Sequence, residues 1–145
     1  MYKMVIVVSL LAVGIVGCSR EVEVAASREE PVETQIEFSI YAAKDYSTPE
    51  YQQVEASLTL TAGVIDIQTG AFIKKWDTLI TRNLVDFPDL EQSITIEKSI
   101  PLRINKERLQ VAHSIRYNNN GQLSQTANFV TLPSDQVRHL KKIGL

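Results

Sequence analysis

The sequence contains few residues of the kinds that carry out catalysis or bind metals. Cys18 is its one cysteine, and its two histidines are His113 and His139. A metal site needs several ligands at compatible spacing, and no group of histidine, cysteine and aspartate residues supplies them. There is no Gly-x-Ser-x-Gly motif for an activated serine and no glycine-rich phosphate loop. We therefore predict a protein that is not an enzyme and needs no cofactor.

Cys18 directly follows a stretch with the features of an export signal. Lys3 precedes an uncharged run from Met4 to Gly17 that ends in small residues, as in a secretory signal peptide. The run is too short for a membrane-spanning helix, which needs about 20 residues. We predict that residues 1–17 are a removable signal peptide.

The residues Ile15, Val16 and Gly17 before Cys18 match the lipobox of bacterial lipoproteins, in which the cysteine is acylated before cleavage. Acylation also accounts for a lone cysteine in an exported chain, where a free thiol would be unusual. An ordinary signal peptide followed by an incidental cysteine is the alternative. We predict that Cys18 carries acyl chains, and two or three such chains hold a protein firmly on a bilayer. Ser19 resembles the residue that follows the cysteine in lipoproteins that pass by default to the outer membrane. We therefore predict that the domain lies on the periplasmic face of the outer membrane.

The rest of the chain has room for one domain. The full sequence has a formal net charge of −2, and its charges are scattered, so the chain lacks the basic surface that nucleic-acid binding requires. Residues 18–33 are rich in glutamate and lack aromatic side chains, and such a composition cannot bury enough surface to fold. We predict a lipidated, flexible tether over residues 18–33 and a folded domain over residues 34–145.

Apolar residues alternate with polar ones from Thr34 onward, which is typical of half-buried strands. At Gly63 the alternation changes phase so that Ile65 and Ile67 become the apolar set, which predicts a bulge or a bend. The segment from Phe72 to Thr81 alternates poorly and is the candidate edge strand. The alternating apolar positions are Ile36, Phe38 and Ile40; Val54 to Val64; Ile94, Ile96 and Ile100; Leu109 to Tyr117; and Leu123, Ala127 and Phe129.

Turn signals complete the predicted fold. Asn120-Gly121 is suited to the positive φ angles of a tight hairpin. Ser134 could cap a short C-terminal helix with Val137, Leu140 and Ile143 on its apolar face. We predict an all-β antiparallel β-sandwich of six to seven strands and immunoglobulin-like size, followed by a short C-terminal helix.

Four apolar residues form the candidate partner-binding surface. Trp76 lies on the predicted edge strand, and Leu84, Val85 and Phe87 lie in the loop that follows it. If these side chains are exposed together, they form an apolar strip of the kind that contacts partners. The alternative is that Trp76 is an anchor in the core.

The pattern of the chain also resembles a known group of lipoproteins. The features are the lipobox, the acidic tether, the Leu58-Thr59-Leu60 strand, the charged strand from Lys74 to Arg82, the aliphatic strand ending in Ile100-Pro101, and Ser114-Ile115-Arg116-Tyr117 before Asn120-Gly121. Together they resemble the small pilotin lipoproteins of type III secretion systems and their relatives. The resemblance implies a chaperone without enzymatic activity that binds a secretin subunit near its C-terminus and escorts it to the outer membrane.

A second interpretation is an envelope lipoprotein that binds a small ligand or a sugar, or that braces an envelope complex. Tyr41, Tyr46 and Tyr51 cluster around one predicted loop, and aromatic side chains are suited to binding sugars.

Overall fold

The computed structural model describes residues 30–145. The predicted signal peptide, the predicted lipid site Cys18 and most of the predicted tether lie outside the described residues. Within residues 30–145 there are seven strands and two short 3-10 helices. The strands are β1 (Val32–Tyr41), β2 (Val54–Asp66), β3 (Phe72–Asn83), β4 (Ile94–Leu102), β5 (Glu107–Asn119), β6 (Gln122–Thr131) and β7 (Arg138–Gly144), and the 3-10 helices are Pro49–Tyr51 and Leu84–Asp86.

The strands form two sheets that pack together. One sheet has three strands in the order β4-β1-β7, and the other has four in the order β3-β2-β5-β6. All neighbouring pairs are antiparallel except β1 and β7, which are parallel. The prediction of an all-β fold is therefore confirmed, and so is the position of β3 at a sheet edge.

The period-two pattern of the sequence matches the burial of the central strands. In β2, the side chains of Ala56, Leu58, Leu60 and Ala62 are fully buried, while the residues between them are partly exposed. They belong to the same buried cluster as Ile36, Phe38 and Ile40 of β1. Alternate side chains of a strand point to opposite faces of the sheet, so this pattern places one face of each sheet in the core.

The phase change at Gly63 corresponds to a bulge between β2 and β3. The register shifts between Ala62 and Gly63, and Lys75 of β3 is left without a partner residue on β2. The irregularity predicted at this glycine is confirmed. The change of inward parity predicted with it is wrong, because Val64 stays fully buried and Ile67 is exposed.

The hairpin between β5 and β6 turns at the predicted Asn120-Gly121 pair. Asn120 has φ of 51° and Gly121 has φ of 88°, and the strands pair from Asn119 with Gln122 onward. A two-residue turn with two positive φ angles matches the right-handed twist of the strands.

The prediction of a short C-terminal helix is wrong. Residues 138–144 form β7, which pairs in parallel with β1 from Gln35 with Arg138 to Tyr41 with Gly144. His139 and Ile143 are buried, whereas Val137 and Leu140, predicted on the helix's apolar face, are exposed. The unpaired edge of β1 supplies backbone donors and acceptors to the C-terminal residues, and this tertiary pairing overrides a weak local preference for helix.

The first strand begins slightly earlier than predicted. β1 starts at Val32, and Glu33 pairs with Pro101 of β4 and accepts a hydrogen bond from the Ser99 hydroxyl. The last two residues of the predicted tether are therefore part of the three-stranded sheet.

Candidate functional site

The loop after β3 is part of the core, contrary to its predicted exposure. Leu84, in the second 3-10 helix, is 3% exposed, and Phe87 is 5% exposed. Val85 is half-buried and packs against the same core cluster. The expected exposed strip is therefore wrong at Leu84 and Phe87, because the 3-10 helix contacts β2 and both side chains belong to the core cluster.

Trp76 lies in the middle of β3 and faces inward. Its half-buried indole stacks on Phe38 of the opposite sheet, with ring centroids 5.8 Å apart. The Lys98 ammonium of β4 lies 5.4 Å from the centroid of the indole ring. These contacts favour the core-anchor interpretation of Trp76, and the structure does not join it with Leu84, Val85 and Phe87 in one exposed strip.

Two recesses open instead at the end of the domain where residues 42–53 meet the loop after β3. The two loops are tied together by the amide of Ala42, which donates to the carbonyl of Pro88 at 2.7 Å. One recess has a volume of about 460 Å³ and includes Tyr46, Val85 and Phe87 in its lining. The other, of about 300 Å³, lies beside Tyr51 and Leu84.

Lys44 and Tyr46 line both recesses, and Tyr51 lines the second. The rings of Tyr46 and Tyr51 meet edge to face with centroids 5.0 Å apart. The Lys44 ammonium donates to the Tyr51 hydroxyl at 2.6 Å and lies over both rings. That hydrogen bond raises the pKa of Lys44, and burial raises the pKa of Tyr46 and Tyr117. Tyr117 lines the second recess, whereas Tyr41, predicted with this group, lies beside Gly144 instead.

A different surface carries the most exposed apolar side chains of the described residues. Phe129 is 74% exposed and Leu123 is 66% exposed, and both belong to β6 at the edge of the four-stranded sheet. They share the outer face of that sheet with Ala127, because alternate residues of a strand point to the same face. The sequence pattern marked these residues as strand positions but did not reveal that they face outward.

The other three edges carry charges or irregularities that protect them from pairing. The charged or proline residues are Lys74, Lys75, Asp77 and Arg82 in β3, Glu97, Lys98 and Pro101 in β4, and Arg138, Lys141 and Lys142 in β7. β3 also has the bulge opposite Gly63. The ten residues of β6 include no charged residue and no proline. Among the described strands, β6 is therefore the edge that is open to a further strand.

The direction of the free backbone groups of β6 follows from its pairing with β5. The amide of Leu132, just after β6, donates to the carbonyl of Leu109 at 2.8 Å. Because backbone groups alternate in direction along a strand, the even-numbered residues face β5. The amides and carbonyls of Leu123, Gln125, Ala127, Phe129 and Thr131 consequently face the free edge.

The two histidines lie on different strands. His113 on β5 is half-buried, and burial, followed by the charge of Lys141, lowers its pKa. His139 on β7 is buried, and its Nε2 atom has no hydrogen-bond partner among the described residues. Residues 30–145 contain no cluster of three or more metal-ligating side chains. No helix in the same range is long and apolar enough to cross a membrane.

Comparison with known proteins gives no relative from which a role could be transferred. No protein-family model, curated protein sequence or solved structure matches the chain.

Proposed function

We propose that this chain is a lipid-anchored binding protein of the pilotin type, without enzymatic activity. Its β-sandwich domain stands on the periplasmic face of the outer membrane through acyl chains on Cys18. It binds the C-terminal segment of a secretin subunit and escorts that subunit to the membrane for assembly. The lipobox at Ile15 to Cys18 supports the anchor.

The observation that carries the binding role is the open edge of β6. An extended client segment can add to such an edge as a further strand, and main-chain hydrogen bonds then supply affinity with little demand on sequence. Leu123 and Phe129 lie beside the added strand and select apolar side chains at alternating positions of the client. This location replaces the strip around Trp76 and Phe87.

Strand addition is suited to an escort protein. The client segment is unpaired until it reaches its ring, and pairing with β6 satisfies its backbone donors and acceptors during transit. Release then needs only an exchange of one strand for another. The lipid on Cys18 determines where the complex travels.

The test is binding of secretin C-terminal peptides to the full chain in mild detergent, measured by calorimetry. Ala127→Pro removes an amide that faces the free edge, where proline is tolerated in an edge strand, so it should abolish peptide binding and leave the fold intact. Phe129→Glu should weaken binding at least about tenfold by removing the apolar contact.

Two controls accompany these variants. Leu79→Glu changes an equally exposed residue at the opposite edge of the same sheet and should bind like the wild type. Asn128→Pro removes an amide that faces β5 and should lower the melting temperature. Equal binding by the wild type and Ala127→Pro would rule out strand addition, and no binding by the wild type to any secretin peptide would reject the pilotin role.

A second candidate function is supported by the tyrosine recesses. Tyr51 is half-buried and offers ring surface at the second recess, where its ring meets the buried ring of Tyr46. Lys44, Gln52 and Asp89 provide polar groups around the first recess. This arrangement fits a neutral or acidic sugar that stacks on an aromatic ring. Screening an oligosaccharide panel against the wild type and Tyr51→Ala tests it, since sugar binding through this site should be lost in the variant and retained in Phe129→Glu.

A further inference from the structure

The sequence of β6 is complementary to itself, and this defines a partner for its open edge. We propose that a second copy of the chain pairs with β6 in an antiparallel, two-fold symmetric dimer, with Thr126 on the axis. The two four-stranded sheets then join into one continuous sheet of eight strands. Such a contact uses the same surface on both copies, as a two-fold dimer requires.

The backbone groups that face the free edge limit the possible registers of this dimer. These belong to odd-numbered residues, so hydrogen-bonded pairs across the axis must join odd residues with odd residues. Among the registers that meet this condition, we select the one that places Leu123 opposite Phe129. Thr126 then lies opposite Thr126 of the second copy, and Gln125 lies opposite Ala127. Leu123 lies opposite Phe129, so the two most exposed apolar side chains of each copy cover each other on the outer face.

Charge distinguishes β6 from the other edges as a site for self-pairing. A strand that pairs with its own copy brings its charges close to the same charges of the partner, and like charges on opposite residues are destabilising. β7, with Arg138, Lys141 and Lys142, carries several positive charges. β6 carries none, so its self-pairing meets no such repulsion.

The dimer also protects the chain. An edge strand of ten neutral residues with exposed Leu123 and Phe129 invites open-ended aggregation. A closed two-fold pair satisfies both edges at once and leaves β3, with its lysines and its bulge, at the two outer ends of the joined sheet.

One consequence rests on the proposed function. If the secretin segment adds to β6, client and second copy compete for one edge, so the dimer is the state in which the free protein awaits its client. The client must then displace the second copy, and binding should convert dimers into complexes with one chain and one peptide. The dimer itself depends only on the geometry of β6.

Cross-linking through an engineered cysteine tests the two-fold axis. Thr126 forms a non-hydrogen-bonded pair with its own copy, where Cα atoms are about 4.5 Å apart, within the range that a disulfide bridges. Full-length Thr126→Cys in mild detergent should give a disulfide-linked dimer on gentle oxidation. The wild type shows whether Cys18 alone gives a disulfide-linked dimer. Leu79→Cys places an exposed thiol at the far edge of the same sheet. Neither protein should cross-link.

A charge pair tests the register. Leu123→Lys and Phe129→Glu should each weaken the wild-type dimer at least about tenfold, as seen by native mass spectrometry. Mixing the two variants should restore a heterodimer, because Lys at 123 then lies opposite Glu at 129 while the second Leu123–Phe129 pair remains apolar. Leu123→Lys mixed with Leu79→Glu should give no such recovery.

Three results would overturn the dimer or its proposed axis and register. A wild-type chain that is monomeric at high micromolar concentration excludes the dimer. Equal cross-linking of Thr126→Cys and Leu79→Cys, or no recovery in the mixed pair, excludes this axis and register. A monomer that still binds the secretin peptide through β6 would leave the proposed function standing, whereas a dimer that ignores the peptide would reject that function alone.

Discussion

The indole of Trp76 stacks on the ring of Phe38 across the boundary between the two sheets, with centroids 5.8 Å apart and planes inclined by 29°. β3 contributes the first ring and β1 the second, so this contact joins the edge of one sheet to the centre of the other. Trp76→Ala should therefore lower the free energy of unfolding by about 2 to 4 kcal/mol, toward the lower range for buried aromatic residues because the ring is only half-buried. Urea unfolding of the wild type and Trp76→Ala measures this loss of stability. Leu79→Ala, on the same strand but exposed, should change stability by less than about 0.5 kcal/mol, and equal losses in both variants would contradict the anchor role.

Phe87 provides a second test of the core at the loop end. Its ring is 5% exposed, so Phe87→Ala should cost about 3 to 5 kcal/mol of stability through lost burial and the cavity left behind. Chemical denaturation compares it with Leu90→Ala, an exposed residue of the same loop. A variant as stable as the wild type would mean that the loop side chain does not pack as described.

Gly63 is required by the close approach of β3. A Cβ atom there would lie 2.5 Å from the carbonyl oxygen of Ile73 and 2.6 Å from the Phe72 ring. Gly63→Ala should destabilise the domain by about 1 to 3 kcal/mol, as overpacking does. Adding Phe72→Ala should recover only part of the loss, because the backbone carbonyl remains in place. Thermal melts of the single and double variants measure this, and full recovery would show that the ring alone creates the conflict.

Glu107 and Arg103 form an ion pair in which the carboxylate is buried. Glu107 is 4% exposed and accepts from the Arg103 guanidinium at 2.6 Å and from the Arg103 amide at 2.9 Å. The pKa of Glu107 is held below its usual range, mainly by the hydrogen bond from the Arg103 side chain. Glu107→Gln should cost about 1.5 to 3 kcal/mol at neutral pH.

The pH dependence of that difference has a defined sign. A carboxylate whose pKa is lowered by folding stabilises the protein fully above its unfolded pKa of about 4.3, and the contribution is lost as pH falls through the lowered value. The stability gap between the wild type and Glu107→Gln should therefore shrink in acid. Glu37→Gln, which breaks the exposed pair with Arg138, should cost at most about 1 kcal/mol. A gap that widens in acid would contradict the assignment.

Cys18 is the predicted point of attachment to the membrane. Cys18→Ala should block acylation and processing of the lipoprotein type, because the acyl chains are carried by the cysteine sulfur and the new amino terminus. Intact-mass spectrometry of the mature chain decides it. An unmodified Cys18, or cleavage at another bond, would remove the basis for the lipid anchor.

The sequence alone predicted several strands, one hairpin turn, the bulge and one edge strand of this fold, because each depends on local physical chemistry. Alternation of apolar and polar residues identified β1, β2 and β5, because a strand that covers a core must bury every second side chain. The Asn120-Gly121 pair located a hairpin through its positive φ angles, and Gly63 marked the bulge. The poor alternation of residues 72–81 indicated an edge strand. The predicted signal and lipid site also belong to the sequence, and they lie outside the described residues.

Tertiary structure alone decided the rest, because partners distant in sequence determine which groups are satisfied and which are exposed. The edge of β1 drew residues 138–144 into a parallel strand, although their spacing favoured a helix. The 3-10 turn at Leu84 buried Leu84 and Phe87, which removed the expected binding strip. Among the described residues, Leu123 and Phe129 are the most exposed apolar side chains, because they lie on the outer face of the sheet in a strand with no neighbour beyond it. Which edge of a sheet remains unpaired is a property of the whole fold, and no local pattern encodes it.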